Sequence, residues 1–119
     1  MDHKMFIEVG TGIDLHGQDV TRACLRACRD AIGRNSMPGM REVLPGGDFS
    51  RQKVEVTLGV PYHQEEVNLE AVRESFPYGE VSVQVVQGGL LASSGVLLPD
   101  QGDDSEKMVI VNAVVVVGY

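Results

Sequence analysis

The stretch that decides the fold is Met5-Phe6-Ile7-Glu8-Val9-Gly10-Thr11-Gly12-Ile13-Asp14-Leu15-His16-Gly17. It alternates: Met5, Ile7, Val9, Thr11, Ile13 and Leu15 are apolar or β-branched, and Phe6, Glu8, Gly10, Gly12, Asp14 and His16 fall between them. Period two is the signature of a half-buried strand, and it predicts that the odd positions face the core. Asp14 and His16 then share the other face, roughly 6.6 Å apart by the rise of a strand. Gly10 and Gly12 leave that face bare, so a ligand or another backbone can come close. A carboxylate and an imidazole beyond a glycine track make a candidate site. Asp14 and His16 are its candidate catalytic groups, and Gly10, Thr11, Gly12 and Gly17 its ligand-binding positions.

Gly17 breaks the alternation, and Asp19 is a good N-cap for a helix. Apolar positions at 20, 23, 24, 27, 28, 31 and 32 trace one helical stripe. The stripe is mostly small (Ala23, Cys24, Ala27, Cys28, Ala31), which lets the helix lie close to the first strand's odd face. Cys24 and Cys28 stack on that stripe in poor geometry for a disulfide, and are read as buried reduced thiols. Arg22, Arg26 and Arg29 recur on the opposite side, as a solvated face or as a place for an anion or a neighbouring subunit's carboxylates. Gly33 and Asn35 mark the end of the helix.

Residues 35–52 hold Pro38, Gly39, Pro45, Gly46 and Gly47 without periodicity. Met37, Met40, Val43 and Leu44 suggest that this loop packs on something, as a lid over Asp14 and His16 or as a subunit arm. Lys53 to Val60 alternates with valines and a leucine inward, giving a second strand. His63 follows its end, and Asn68 caps a short helix carrying Leu69, Val72 and Phe76. Val81, Val83 and Val85 mark a third strand running into Gly88-Gly89, and Leu91 to Gly95 reads as a second glycine-rich passage. Asp100 to Glu106 is an acidic turn, and Met108 to Val117 is nearly continuous valine, as in a central strand.

The order β-α-β-α-β-β predicts an α+β two-layer sandwich, a four-stranded mixed sheet with both helices on one face. The other face, lined by Phe6, Glu8, Asp14, His16, Glu55, Thr57, Ser82, Gln84 and part of the last strand, is too apolar for free solvent. A second subunit is expected to cover part of it.

With 119 residues the chain is expected to be a single domain, residues 1–119. A net charge of −7 argues against a general nucleic-acid partner. The N-terminus lacks the apolar core of a signal peptide, and the longest unbroken apolar run, Ala113 to Val117, is far too short to span a membrane. A cytoplasmic protein with no membrane partner is expected.

Three readings of Asp14 and His16 stand side by side. As ligands of a divalent metal they need a third, for which His63 is the best candidate, and Glu8 or a residue from another subunit would also serve. As an acid–base pair, Asp14 would orient His16. As structural groups, Asp14 would accept backbone N–H bonds in the turn and His16 would be satisfied in a packed interface.

Gly10-x-Gly12-x-Asp14-x-His16-Gly17 resembles the signature of the Lin-type conserved hypothetical family, together with Arg34-Asn35-Ser36, Pro77-Tyr78-Gly79 and Gly88-Gly89. The resemblance implies a fold similar to the C-terminal domain of tubulin and bacterial FtsZ, within the chorismate-mutase-like architecture, and it implies no particular activity. The methylerythritol cyclodiphosphate synthase family is similar at Gly10, Gly12, Asp14 and His16. That second resemblance implies a metal site at a subunit boundary. Two functions are therefore expected in competition. One is a homo-oligomeric protein binding a divalent metal or a small, even phosphorylated, ligand through the strand-end motif. The other is a non-catalytic assembly module using the open sheet face.

Overall fold

The computed structural model describes all 119 residues of the chain. Strand β1 spans Lys4–Asp14, and helix α1 follows at Val20–Ile32. The Asp19 carboxylate caps α1 by accepting from the Arg22 N–H at 3.0 Å. A short helix α2, Met40–Val43, lies inside the 35–52 segment. Strand β2 is Lys53–Val60, α3 is Leu69–Glu74 and β3 is Glu80–Gln87. Strands β4, Leu90–Ser93, and β5, Lys107–Gly118, complete the chain.

The sheet is mixed, open and five-stranded, in the order β1-β5-β2-β3, with β4 paired to β5. β5 is central and antiparallel to β1, β2 and β4, while β2 and β3 run parallel. Four strands were expected; the fifth is β4, within the passage read as glycine-rich loop. The chain reaches it by crossing the end of β2, where Gly88 and Gly59 pass with no room for a Cβ on either. β4 then takes the stretch of the β5 edge that β2 leaves free.

Gly10 pairs with Ala113, Ala113 with Leu58, and Leu58 with Val85, so these four positions share one face. That face carries Val54, Val56, Leu58 and Val60 of β2 and Val109, Val111, Val115 and Val117 of β5 into the core. α1 and α3 pack on it, with Ala23, Cys24, Ala27, Cys28, Ala31 and Val72 buried beneath them. Burial pushes the Cys24 thiol up to about 12 and the Cys28 thiol up to about 11, as suits unreactive core thiols.

The first strand is turned over relative to the expectation. Its even positions Glu8, Gly10, Gly12 and Asp14 are buried under α1, and Ile7 and Val9 are 66% and 64% exposed on the open face. The reason is the close approach of α1. A Cβ on Gly10 would meet the backbone of Ala27 and Ala31, and one on Gly12 the backbone of Ala23 and Ala27. Apolar contrast pointed the other way because the open face is itself apolar. Val9 and Val114, Ile7 and Val116, and Ile13 and Ile110 are register partners there, with Leu90 beside Ile110. Across β2 and β3 the same face turns polar, at Glu55, Thr57, Ser82 and Gln84.

The 35–52 segment covers neither Asp14 nor His16. Met40 and Leu44 enter the core, and the segment packs where β2 begins and β5 ends, the opposite end of the sheet from Asp14. No helix is long and apolar enough to cross a membrane.

Candidate functional site

The chain leaves β1 through Leu15, His16, Gly17 and Gln18, a turn in which Gly17 and Gln18 take positive φ of 96° and 50°. Asp14 sits just before it, 2% exposed. Its Oδ2 accepts the Asp19 N–H at 2.8 Å, closing the turn into α1. Its Oδ1 lies 3.4 Å from Arg26 Nη1 and 3.7 Å from Arg22 Nη1. Arg26 Nη1 also donates to the Ile13 carbonyl at 2.6 Å. Asp14 thus ties the end of β1 to the first turns of α1, the backbone-accepting role considered above.

His16 is held by a different carboxylate. Its Nδ1 lies 2.6 Å from Asp103 Oδ2, on the loop between β4 and β5. Asp103 is buried and accepts three further bonds, from the N–H of Gly17 at 2.7 Å, Gln18 Nε2 at 2.9 Å and the N–H of Leu98 at 2.9 Å. Burial works to raise the Asp103 carboxyl. The Leu98 and Gly17 N–H groups, His16 and Gln18 outweigh it and hold the group well below its ordinary value. Gln18 extends the link, donating to the Lys107 carbonyl at 2.8 Å and accepting the Asp104 N–H at 3.0 Å.

Asp14 and His16 both line a cavity of about 340 Å³ with Ile13, Leu15, Arg22, Arg26 and Gln101. The lining carries two guanidiniums and an imidazole whose Nε2 makes no bond within the chain. When the ring is neutral, the bond from Nδ1–H to the ionised Asp103 leaves the Nε2 lone pair free to accept a proton. The Arg22 side chain is 55% exposed, so its guanidinium is open to an anion in the cavity.

Of the sequence-derived candidates, Asp14 and His16 meet here, while Gly17 does not line the cavity and acts through its N–H to Asp103. Gly10 and Gly12 do not line the cavity, because helix backbone fills the space before them. Their role as ligand-binding positions is corrected to helix–strand packing. The Thr11 N–H is taken by Asp30 Oδ2 at 2.8 Å, on the outer edge of β1. Nor do Asp14, His16 and His63 converge as one metal ligand set. His63 instead brings its ligand atoms within 4.8 Å of those of Glu65 and Glu66, all three exposed on the turn after β2. Asp103 went unforeseen: in the acidic run from Asp100 to Glu106 nothing local separates it from its neighbours, and only the fold buries it.

Comparison with known proteins adds the following. The family model described as "Conserved hypothetical protein (Lin0512_fam)" matches residues 4–117. The crystal structure of an FtsZ-like protein of unknown function from Nostoc punctiforme is similar, with a TM-score of 0.82 and 35% sequence identity. The match covers 97% of this chain and 93% of that one. No curated protein matches.

Proposed function

The chain belongs to the conserved hypothetical protein family Lin0512_fam, and from that premise we propose that it binds a small anionic ligand at the end of β1. The single observation that carries this reading is the cavity lined by Arg22, Arg26 and His16, the last oriented by the buried Asp103. Two guanidiniums suit a carboxylate or phosphate group by charge and by their planar donors. His16 Nε2 supplies a single acceptor, or a donor when protonated, that fixes the ligand's orientation. A bare divalent cation is the poorer occupant, because both arginines stand beside Asp14 and oppose it by charge.

Titration calorimetry with orthophosphate and with succinate tests the reading. Arg22→Gln, at an exposed position, is expected to weaken binding of whichever anion binds by about tenfold or more. Absence of binding by both anions to the wild type, with His16 ring resonances unmoved, would refute it.

A second reading rests on a separate observation. The open half of the sheet formed by β1 and β5 exposes Ile7, Val9, Ile13 and Val114, with Leu15 and Leu90 beyond them, an apolar surface interrupted by the Thr11–Asn112 pair. Surfaces of this kind mark interaction sites, and a second copy of the same face offers a matching flat, apolar partner. In this reading the protein is an assembly module, and its test is the mass in solution.

A further inference from the structure

Four polar side chains are buried in this chain: Glu8, Asp14, Gln52 and Asp103. Asp14 and Asp103 are fully engaged at the end of β1. Gln52 is 7% exposed as a residue, and its side-chain amide is unbonded within the chain but not buried out of reach. Its backbone is fixed, since the Gln52 carbonyl accepts the Glu80 N–H at 2.8 Å. The amide is not sealed off from the space around it, so it is free to hydrogen-bond a molecule that enters there.

The Gln52 side chain lines a cavity of about 240 Å³ where β2 begins and β5 ends. The rest of the wall is almost wholly apolar. Met37, Met40 and Phe49 form its roof from the 35–52 segment, and Phe76 and Tyr78 close it from the turn after α3. The chain has only three phenylalanines and three tyrosines, and three of those six residues stand around this one space. Phe49 and Tyr78 are tilted against each other with centroids 5.2 Å apart. Aromatic and methionine walls suit a flat apolar body, the first by offset stacking and the second by adapting to its outline. A mostly apolar space with one polar group is the usual make-up of a small-molecule site.

We propose that this cavity binds a small, flat, ring-containing apolar molecule carrying one carbonyl group, which accepts a hydrogen bond from the Gln52 amide. The rings hold the body of the ligand and Gln52 sets its orientation. The site lies at the opposite end of the sheet from His16 and stands independently of the anion-binding reading.

Acetophenone and ethylbenzene, which share a ring and differ by the carbonyl, are titrated into ¹⁵N-labelled wild-type protein. Shifts confined to the segments around Met37, Phe49, Gln52 and Tyr78 are expected, with the ketone bound about tenfold more tightly. Gln52→Leu is expected to abolish that preference while keeping ethylbenzene binding. Tyr78→Ala, at a rim position 57% exposed and tolerant of change, is expected to weaken both. No binding of either probe, equal binding of the two by the wild type, or shifts scattered over the open sheet face would each overturn the proposal.

Discussion

At the scale of single residues, a methyl group on Gly12 would have to displace the backbone of α1 at Ala23 and Ala27. Gly12→Ala is therefore expected to cost about 1–3 kcal/mol, the range of overpacked cores, as measured by urea unfolding. Two buried carboxylates should respond to pH in opposite senses. Burial raises the Glu8 carboxyl, only partly opposed by a hydrogen bond from Asn35, and its Oε2 has no partner. The folded chain thus holds that proton more tightly than the unfolded one, and a penalty grows as pH rises past the ordinary Glu value of 4.5. Glu8→Gln is expected to stabilise the protein at neutral pH by about 1 kcal/mol, with the advantage vanishing in acid. Asp103 is the reverse case: its lowered value means that the stability it contributes is complete above the ordinary value of 3.8 and is withdrawn as pH falls below it. Asp103→Asn should lower the urea midpoint at neutral pH and converge on the wild type in strong acid. Parallel pH profiles for the two variants would contradict both assignments.

At the scale of elements, β1 is an edge strand whose exposed backbone is guarded by side chains of α1. Asp30 accepts the Thr11 N–H, and Arg26 donates to the Ile13 carbonyl. Asp30→Ala is expected to speed exchange of the Thr11 amide about tenfold, read by hydrogen–deuterium exchange, with the central β5 amides unchanged. Most elements were legible in the sequence. Val20–Ile32 and Lys53–Val60 have the bounds that their periodicity and caps dictate. The fold was read coarsely right as α+β with a mixed sheet, and β4 was missed because four residues between glycines carry no period. The face of β1 was misread for a physical reason: alternation reports contrast between two faces, and here the side with larger apolar groups is the uncovered one. The small stripe Ala23-Ala27-Ala31 already demanded a close partner, and Gly10 and Gly12 were the only positions able to provide it. The candidate site was only partly legible. Asp14 and His16 stood out by type, but the arginines read first as a solvated helix face, and the carboxylate that orients His16 comes from a loop 87 residues away, a pairing that only the fold makes.

At the scale of the whole molecule, the open face divides into an apolar half on β1 and β5 and a polar half on β2 and β3. If two copies bury their apolar halves against each other, Val9→Lys should halve the mass seen by sedimentation equilibrium while leaving the thermal midpoint of the monomer within a few degrees. A wild type that sediments as a monomer at all concentrations would remove the assembly reading. The anion-binding reading would be left standing, since Arg22, Arg26 and His16 are no part of the apolar surface, although Ile13 and Leu15 border both.

β5 is the last strand in sequence, yet β1, β2 and β4 all pair with it, and β1 has no other strand partner. Lys4 and Gly118, almost the full chain apart, lie opposite each other in the ladder. Chain order therefore sets the timetable of folding. On a ribosome, α1 can form as soon as it emerges, but its close seat on β1 has no sheet beneath it until β5 has been made. Closing so long a loop before β1 can pair is a slow step, and nascent chains lacking β5 would hold the inward valines of β2 without their central partner, within reach of chaperones and of one another.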